Sequence, residues 1–174
     1  MKRFLIVVDM QKDFVDGALG TPEAQQIVPC VVEKIRGFEG EIIITYDTHE
    51  EDYMETREGR FLPVPHCIRD TAGWQLNAEV TAALEERAYT VVEKPTFGAV
   101  TLPEVVEQLA GDEEFTVELV GLCTDICVVS NALIIKATFP DAEVSVDSAC
   151  CAGVTPESHL AALKTMAMCQ IDVK

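Results

Sequence analysis

Basic residues are scarce in this sequence. Its 174 residues include 13 Lys and Arg against 30 Asp and Glu, a formal net charge of −17. Nucleic acids and anionic membrane surfaces are held by clustered Lys and Arg, so neither is an expected partner. Long apolar runs are also missing. The longest, such as Phe4 to Val8, fall far short of the roughly 20 residues that cross a bilayer. Asp9 ends that first run and no small-residue cleavage site follows it, so no secretory signal is expected. The seven cysteines are odd in number and follow no framework spacing. Such a set suits a reducing compartment, and the expected address is the cytoplasm. Histidine is rare as well, with three in the chain, and tryptophan occurs once.

Hydrophobic residues make up 48% and charged residues 25%, which excludes a disordered chain. The length suits one domain, residues 1–174, with a sizeable core. Short runs rich in branched residues predict buried strands at Lys2–Val8, Glu41–Tyr46, Thr90–Glu93, Phe115–Val120 and Glu143–Val146, with a last edge strand at Gln170–Val173. Between them, helical spacing covers Glu23–Phe38, where Ile27, Val31 and Ile35 recur at i+4. It also covers Gln75–Arg87, Leu102–Ala110, Val128–Ala137 and Thr155 to about Met168. Met10–Gly17 reads as a loop, and Asp47–Gly73 as a long irregular one, which in a compact domain is usually functional or disordered. The alternation predicts a three-layer α/β/α fold with a mainly parallel sheet of five or six strands.

Polar residues punctuate these strands. Asp9, Asp47, Lys94 and Asp147 each follow an apolar run, which would set them along the carboxyl rim of the sheet, where ligands bind. A fifth strand end leads into Gly121–Val129, and a sharp strand–helix turn there would put Cys127 at the helix's first turn. Free backbone N–H groups and the helix dipole favour a thiolate there, and the same N–H groups suit an oxyanion. Asp9 could then take and return a proton, with Lys94 balancing the charge. The bland alternative is an Asp–Lys ion pair stitching two strand ends. Asp47-Thr48-His49 and His66, with Glu55 or Glu58 as a further carboxylate, offer donors for zinc or another divalent transition metal; the alternative is a pair of surface loop histidines. Cys67, beside His66, is a further possible ligand. His159 reads as surface, and Cys30, Cys150, Cys151 and Cys169 as small buried residues. Phe14 and Trp74 are candidates for an aromatic-lined slot, with core packing the stronger role for Trp74.

The blocks Val7–Phe14, Thr45–His49, Pro63–Cys67, Glu93–Gly98 and Gly121–Val128, in that order, resemble the isochorismatase-like cysteine hydrolases, nicotinamidase branch. The resemblance implies a Rossmann-like fold of the isochorismatase type and a catalytic Asp9–Lys94–Cys127 triad. It implies an oxyanion hole from the N–H groups of Cys123 and Cys127, with a cis peptide between Leu122 and Cys123. It also implies a divalent metal, zinc first, on Asp47, His49 and His66, and a ring site lined by Phe14; Glu58 is taken as the further carboxylate of that site on its donor chemistry. The implied reaction converts nicotinamide, or a close analogue, to the acid and ammonia through a Cys127 thioester, in a homo-oligomer. The sequence departs from the branch at Pro63, where an aromatic residue is common and for which Phe61 is a substitute, and at Asp70, where glycine is common. Two rivals stand beside this reading. One is a family hydrolase of another small amide or N-carbamoyl compound; the other is a non-catalytic metal- and thiol-binding α/β protein.

Overall fold

A computed structural model describes residues 1–174. Strand β1 (Lys2–Val8) leads through a short helix α1 (Lys12–Val15) to α2 (Pro22–Gly37) and β2 (Glu41–Asp47). A 3-10 turn at Tyr53–Glu55 and α3 (Arg57–Phe61) follow, then α4 (Ala78–Leu84), β3 (Tyr89–Lys94), α5 (Leu102–Ala110) and β4 (Phe115–Leu122). A π-type turn at Thr124–Val128 opens α6 (Val129–Thr138), and β5 (Glu143–Ala152), α7 (Pro156–Met168) and β6 (Asp172–Val173) complete the chain. The six strands form one sheet in the order β3-β2-β1-β4-β5-β6, every pair parallel. No helix is long and apolar enough to cross a membrane.

The three layers follow from strand periodicity. Successive side chains point to opposite faces, so Leu5 and Val7 face one way and Phe4, Ile6 and Val8 the other. The first set packs with Ile27, Val31 and Ile35 of α2 and Val80 of α4. The second packs with Val106 of α5, Ile135 of α6 and Met166 of α7. Both faces of β1 are therefore covered, as its unbroken apolar run requires. Capping sets the helix starts: Thr21 Oγ1 accepts from Ala24 N (3.0 Å) at α2, Asn77 caps α4, and Thr155 with Ser158 forms a capping box at α7.

Several expectations are corrected here. The Met10–Gly17 loop contains α1, and the 47–73 stretch contains α3 and the 3-10 turn. The helix expected over Gln75–Arg87 is confined to Ala78–Leu84, because Asn77 caps it. β5 does not stop at Val146. The strand runs on to Ala152, its pairing with β4 slipping between Leu119 and Gly121 and resuming at Cys151. Asp147 is therefore not on the rim; Lys34 Nζ holds it at 2.6 Å. Cys30 and Cys150, expected as free buried thiols, form a disulfide between α2 and β5, and Cys169 is exposed. Cys151 is buried as expected.

Lys34 also reaches Glu118 (2.6 Å), a carboxylate in the middle of β4 that Lys174 holds from its other oxygen at 3.0 Å. Burial pushes the Glu118 pKa up, but the two ammoniums outweigh it and hold the carboxyl below its ordinary value. A group with a lowered folded pKa adds stability above its unfolded pKa and loses it as pH falls through the folded one. Glu118→Gln is expected to cost about 1–2 kcal/mol at neutral pH. The gap to wild type should narrow as the pH falls below about 4, read from thermal melts of both proteins across pH.

Candidate functional site

Four strand ends converge on one buried ammonium. Lys94 closes β3 and lies in register with Asp47 on β2. Asp9 follows β1, the next strand over, so reaching it means crossing β2, a span of about 10 Å between strands two apart. A lysine stem makes that crossing. Its Nζ sits 2.6 Å from Asp9 Oδ2, 3.4 Å from Asp47 Oδ1, 3.5 Å from Cys127 Sγ and 3.1 Å from the Thr96 carbonyl. Lys94, Asp9 and Cys127 are all buried.

Asp9 is held on two sides. Its φ of 47° lies in the left-handed region, which Asp tolerates better than most residues. Its N–H meets the Thr45 carbonyl (3.3 Å) and Oγ1 (3.2 Å), and Thr45 Oγ1 donates to Oδ1 at 2.6 Å. Oδ2 faces the ammonium.

The nucleophile candidate comes from an irregular turn. Gly121, with φ 116°, lies so close to the Val8 backbone that a Cβ would collide with it. The Leu122–Cys123 peptide is cis, as expected. The Cys123 carbonyl accepts from Ile126 N (3.1 Å) and Val128 N (3.0 Å), while the Cys123 N–H donates to no group of the chain. Cys127 thus sits in the π-type turn just ahead of α6. Burial and the Asp9 carboxylate push its thiol pKa well up, against the Lys94 ammonium. Cys123 is pushed up to about 12, chiefly by burial. Burial likewise raises Asp9, with Lys94 opposing. Burial thus works against the thiolate that the helix start was expected to favour, and the thiol lies beside a carboxylate placed to take its proton.

Beside this triad stands a donor cluster. One donor atom from each of Asp47, His49, Glu58 and His66 lies within 4.8 Å of all the others. Asp47 Oδ2 is 3.1 Å from His49 Nε2 and 3.6 Å from His66 Nε2, and Glu58 Oε1 is 3.5 and 3.8 Å from the same nitrogens. A tetrahedral ion with bonds of about 2.0–2.1 Å needs donors roughly 3.3 Å apart, so the set fits a divalent metal. His66 Nδ1 lies 2.8 Å from the Val64 carbonyl, which leaves Nε2 free to ligate, the usual arrangement behind a metal-bound imidazole. Burial opposes ionisation of Asp47, but His49, His66 and Lys94 outweigh it and hold the carboxyl well below its ordinary range. Burial pushes the pKa of Glu58 up. Of the other expected donors, Glu55 stays outside the cluster and Cys67 is buried in the core on the α2 side.

A cavity of about 350 Å³ opens above both groups, lined in part by Phe14, Asp47, Glu58, His66, Cys123 and Cys127. Phe14 stands edge-on to His66 at 5.4 Å. Trp74 packs against the core and donates to Thr48 Oγ1, so it takes the packing role. His159 is not plain surface: half-buried on α7, its Nδ1 lies 2.8 Å from Oγ1 of Thr124, the first residue of the nucleophile turn.

Sequence reasoning missed three supporting residues. Thr45 holds Asp9. Gln11 clamps the Asp47 backbone with a pair of 2.8 Å bonds. Asn131 is buried in α6 and bonds the carbonyls of Cys127 (2.8 Å) and Phe97 (3.2 Å) and the N–H of Ala99 (2.9 Å).

The model of the isochorismatase domain matches residues 3–173. The chain belongs to the isochorismatase family. An uncharacterised isochorismatase family protein of Bacillus subtilis is 29% identical over 143 residues, 76% of this chain and 78% of that protein. The crystal structure of a Pyrococcus horikoshii pyrazinamidase in complex with zinc superposes with a TM-score of 0.83 at 29% identity, covering 100% of this chain and 99% of the other. A nicotinamidase/pyrazinamidase of Bacillus subtilis gives 0.86 at 27%, covering 99% of each. Within the family the likeness runs to the nicotinamidase branch, among hydrolases acting on amide bonds.

In this isochorismatase-family chain the donor cluster makes a direct prediction. Titrating zinc into metal-free protein should raise the melting temperature, with about 2.7 kcal/mol of stabilisation at a hundredfold excess over Kd. A His49→Ala/His66→Ala double variant should lose that rise, read by scanning calorimetry.

Proposed function

We propose that residues 1–174 work as one hydrolase domain, a metal-assisted cysteine amidohydrolase. It converts nicotinamide, or a close analogue, to the acid and ammonia through a thioester on Cys127. The observation that carries this reading is the position of Lys94 Nζ, 2.6 Å from Asp9 and 3.5 Å from the Cys127 sulfur, beneath a cavity whose wall carries three of the four metal donors, Asp47, Glu58 and His66.

The steps use groups already in place. Asp9 takes the thiol proton as Cys127 Sγ bonds to the carboxamide carbon. The N–H groups of Cys123 and Cys127 receive the oxyanion. As the tetrahedral centre collapses, the C–N bond breaks and Asp9 returns its proton to the nitrogen, which leaves as ammonia. Asp9 then takes a proton from water, whose oxygen attacks the thioester carbon. The acid departs, and Cys127 recovers a proton from Asp9. Throughout, Lys94 offsets the buried carboxylate and orients it. Asp47, His49, His66 and Glu58 would hold the metal, zinc first, and Phe14 would line the ring site. When bound, a divalent ion supplies Lewis-acid attraction for a heterocyclic nitrogen. The cytoplasm and a homo-oligomeric state complete the reading.

A second reading, a hydrolase of another small amide or N-carbamoyl compound, draws on the 61–63 segment. Pro63 replaces the aromatic residue common in the branch, and Phe61, at the cavity wall, is 92% exposed, so no ring of this segment is held in place by packing. A non-catalytic metal and thiol protein does not accord with membership among amide hydrolases.

Cys127→Ala keeps the Asp9–Lys94 pair and removes only the nucleophile. It is expected to cut ammonia release from nicotinamide by at least about a thousandfold at an unchanged melting temperature. Full activity in this variant would overturn the mechanism.

A further inference from the structure

The cavity has two unlike ends. Asp47, at the end of β2, marks one, with Glu58 and His66. The other is built by Leu19, Thr21 and Ala24 ahead of and within α2, and by Gly153 and Val154 just past β5. Because the sheet runs β2-β1-β4-β5, the rims of β2 and β5 lie about 14 Å apart. Cys127, which follows β4, falls between them. On the function proposed above, an amide with its ring nitrogen toward the donor cluster and its carbonyl at Cys127 leaves the β5 end uncovered.

The chemistry of that end is one-sided. No Lys or Arg lines any part of the cavity, so an anionic group would enter without a partner, in a chain of net charge −17. The start of α2 offers no substitute, since the Ala24 N–H is already bonded to Thr21 Oγ1 and Glu23 adds a carboxylate to the first turn. What remains, beside the Thr21 hydroxyl that caps α2, is aliphatic surface. Val154 is 52% exposed and borders the opening, which leaves it free to be covered by a ligand.

We infer that the β5 end is a subsite for an uncharged apolar substituent. The preferred substrates are then primary aromatic amides larger than nicotinamide, bearing an alkyl-type group on the ring, while ring-carboxylated amides are rejected. Each buried methylene strengthens binding by roughly fourfold, so a half-covered propyl group gives about tenfold.

The test is calorimetric binding to zinc-loaded Cys127→Ala protein. The ligands are nicotinamide, its propyl derivatives at each free ring position, and a ring-carboxylated counterpart. At least one propyl isomer should bind tenfold or more tighter than nicotinamide, and the carboxylated compound more weakly. Adding Val154→Glu should erase the propyl preference. Equal or weaker binding of every propyl isomer, or a preference that survives Val154→Glu, overturns the inference. Ammonia release by wild type is measured on the same compounds. A propyl preference in binding without any release would retire the amidohydrolase reading and keep the subsite. Release from nicotinamide without a propyl preference would retire the subsite alone.

Discussion

The buried ammonium of Lys94 is the constraint around which the rest of this molecule is arranged. Removing a charge from water costs several kcal/mol even after relaxation, and here Asp9 and Asp47 are buried with it. Such a group persists only where geometry is fixed, and the register of three parallel strands fixes it. β3 sets Lys94 opposite Asp47, and β1 sets Val8 opposite Thr45, so that Asp9 falls beside the Thr45 hydroxyl. A slip of one residue in any pairing would turn these side chains to the wrong face. Sheet register and site are one specification. The burial of β1 on both faces, which makes register costly to change, is also what holds the charges in place.

Asp47 carries this constraint into the donor cluster. One of its oxygens faces the Lys94 ammonium and the other faces His49 and His66. Its carboxylate is thus shared between the triad and the metal donors, and a change in charge on one side alters the field on the other. The side chain has little freedom to choose between them, since Gln11 grips its backbone from both directions. Gln11 also donates to the Trp74 carbonyl, so the loop after β1 ties the tip of β2 to the start of the α4 region. This gives a packed role to a tryptophan that does not touch the cavity.

What was legible in the sequence has a common physical origin. Strands buried on both faces must be continuously apolar, and the first polar residue after such a run marks the rim; Asp9, Asp47 and Lys94 were readable on that ground. The same rule misplaced Asp147, because the Val144–Val146 run stops at a β-bulge and not at a strand end. A bulge leaves no local mark when the strand continues through small residues. Thr45, Gln11 and Asn131 were illegible for a different reason. Their roles consist of bonds spanning 36, up to 63 and up to 34 residues, and a buried polar residue carries no sign of its partner. The Cys30–Cys150 pair, 120 residues apart, is the extreme case, since an odd cysteine count argued against any pairing.

The irregular turn at Thr124–Val128 shows why the nucleophile candidate is not on an ordinary helix. In a regular α-turn the Cys123 carbonyl would accept from Cys127 N; here it accepts from Ile126 and Val128 instead. The wider turn passes over Cys127, so the carbonyl at the head of the turn does not take its N–H, and the Cys123 N–H has no partner in the chain. An irregular turn with an unpartnered N–H beside a buried thiol would be costly if nothing else held it. Asn131 takes the Cys127 carbonyl, His159 engages Thr124, and Asp125 accepts from Val154 N. The fold thus stabilises every side of the turn except the one that faces the cavity. That asymmetry, more than the presence of a cysteine, distinguishes Cys127 from the buried thiols of Cys67 and Cys151.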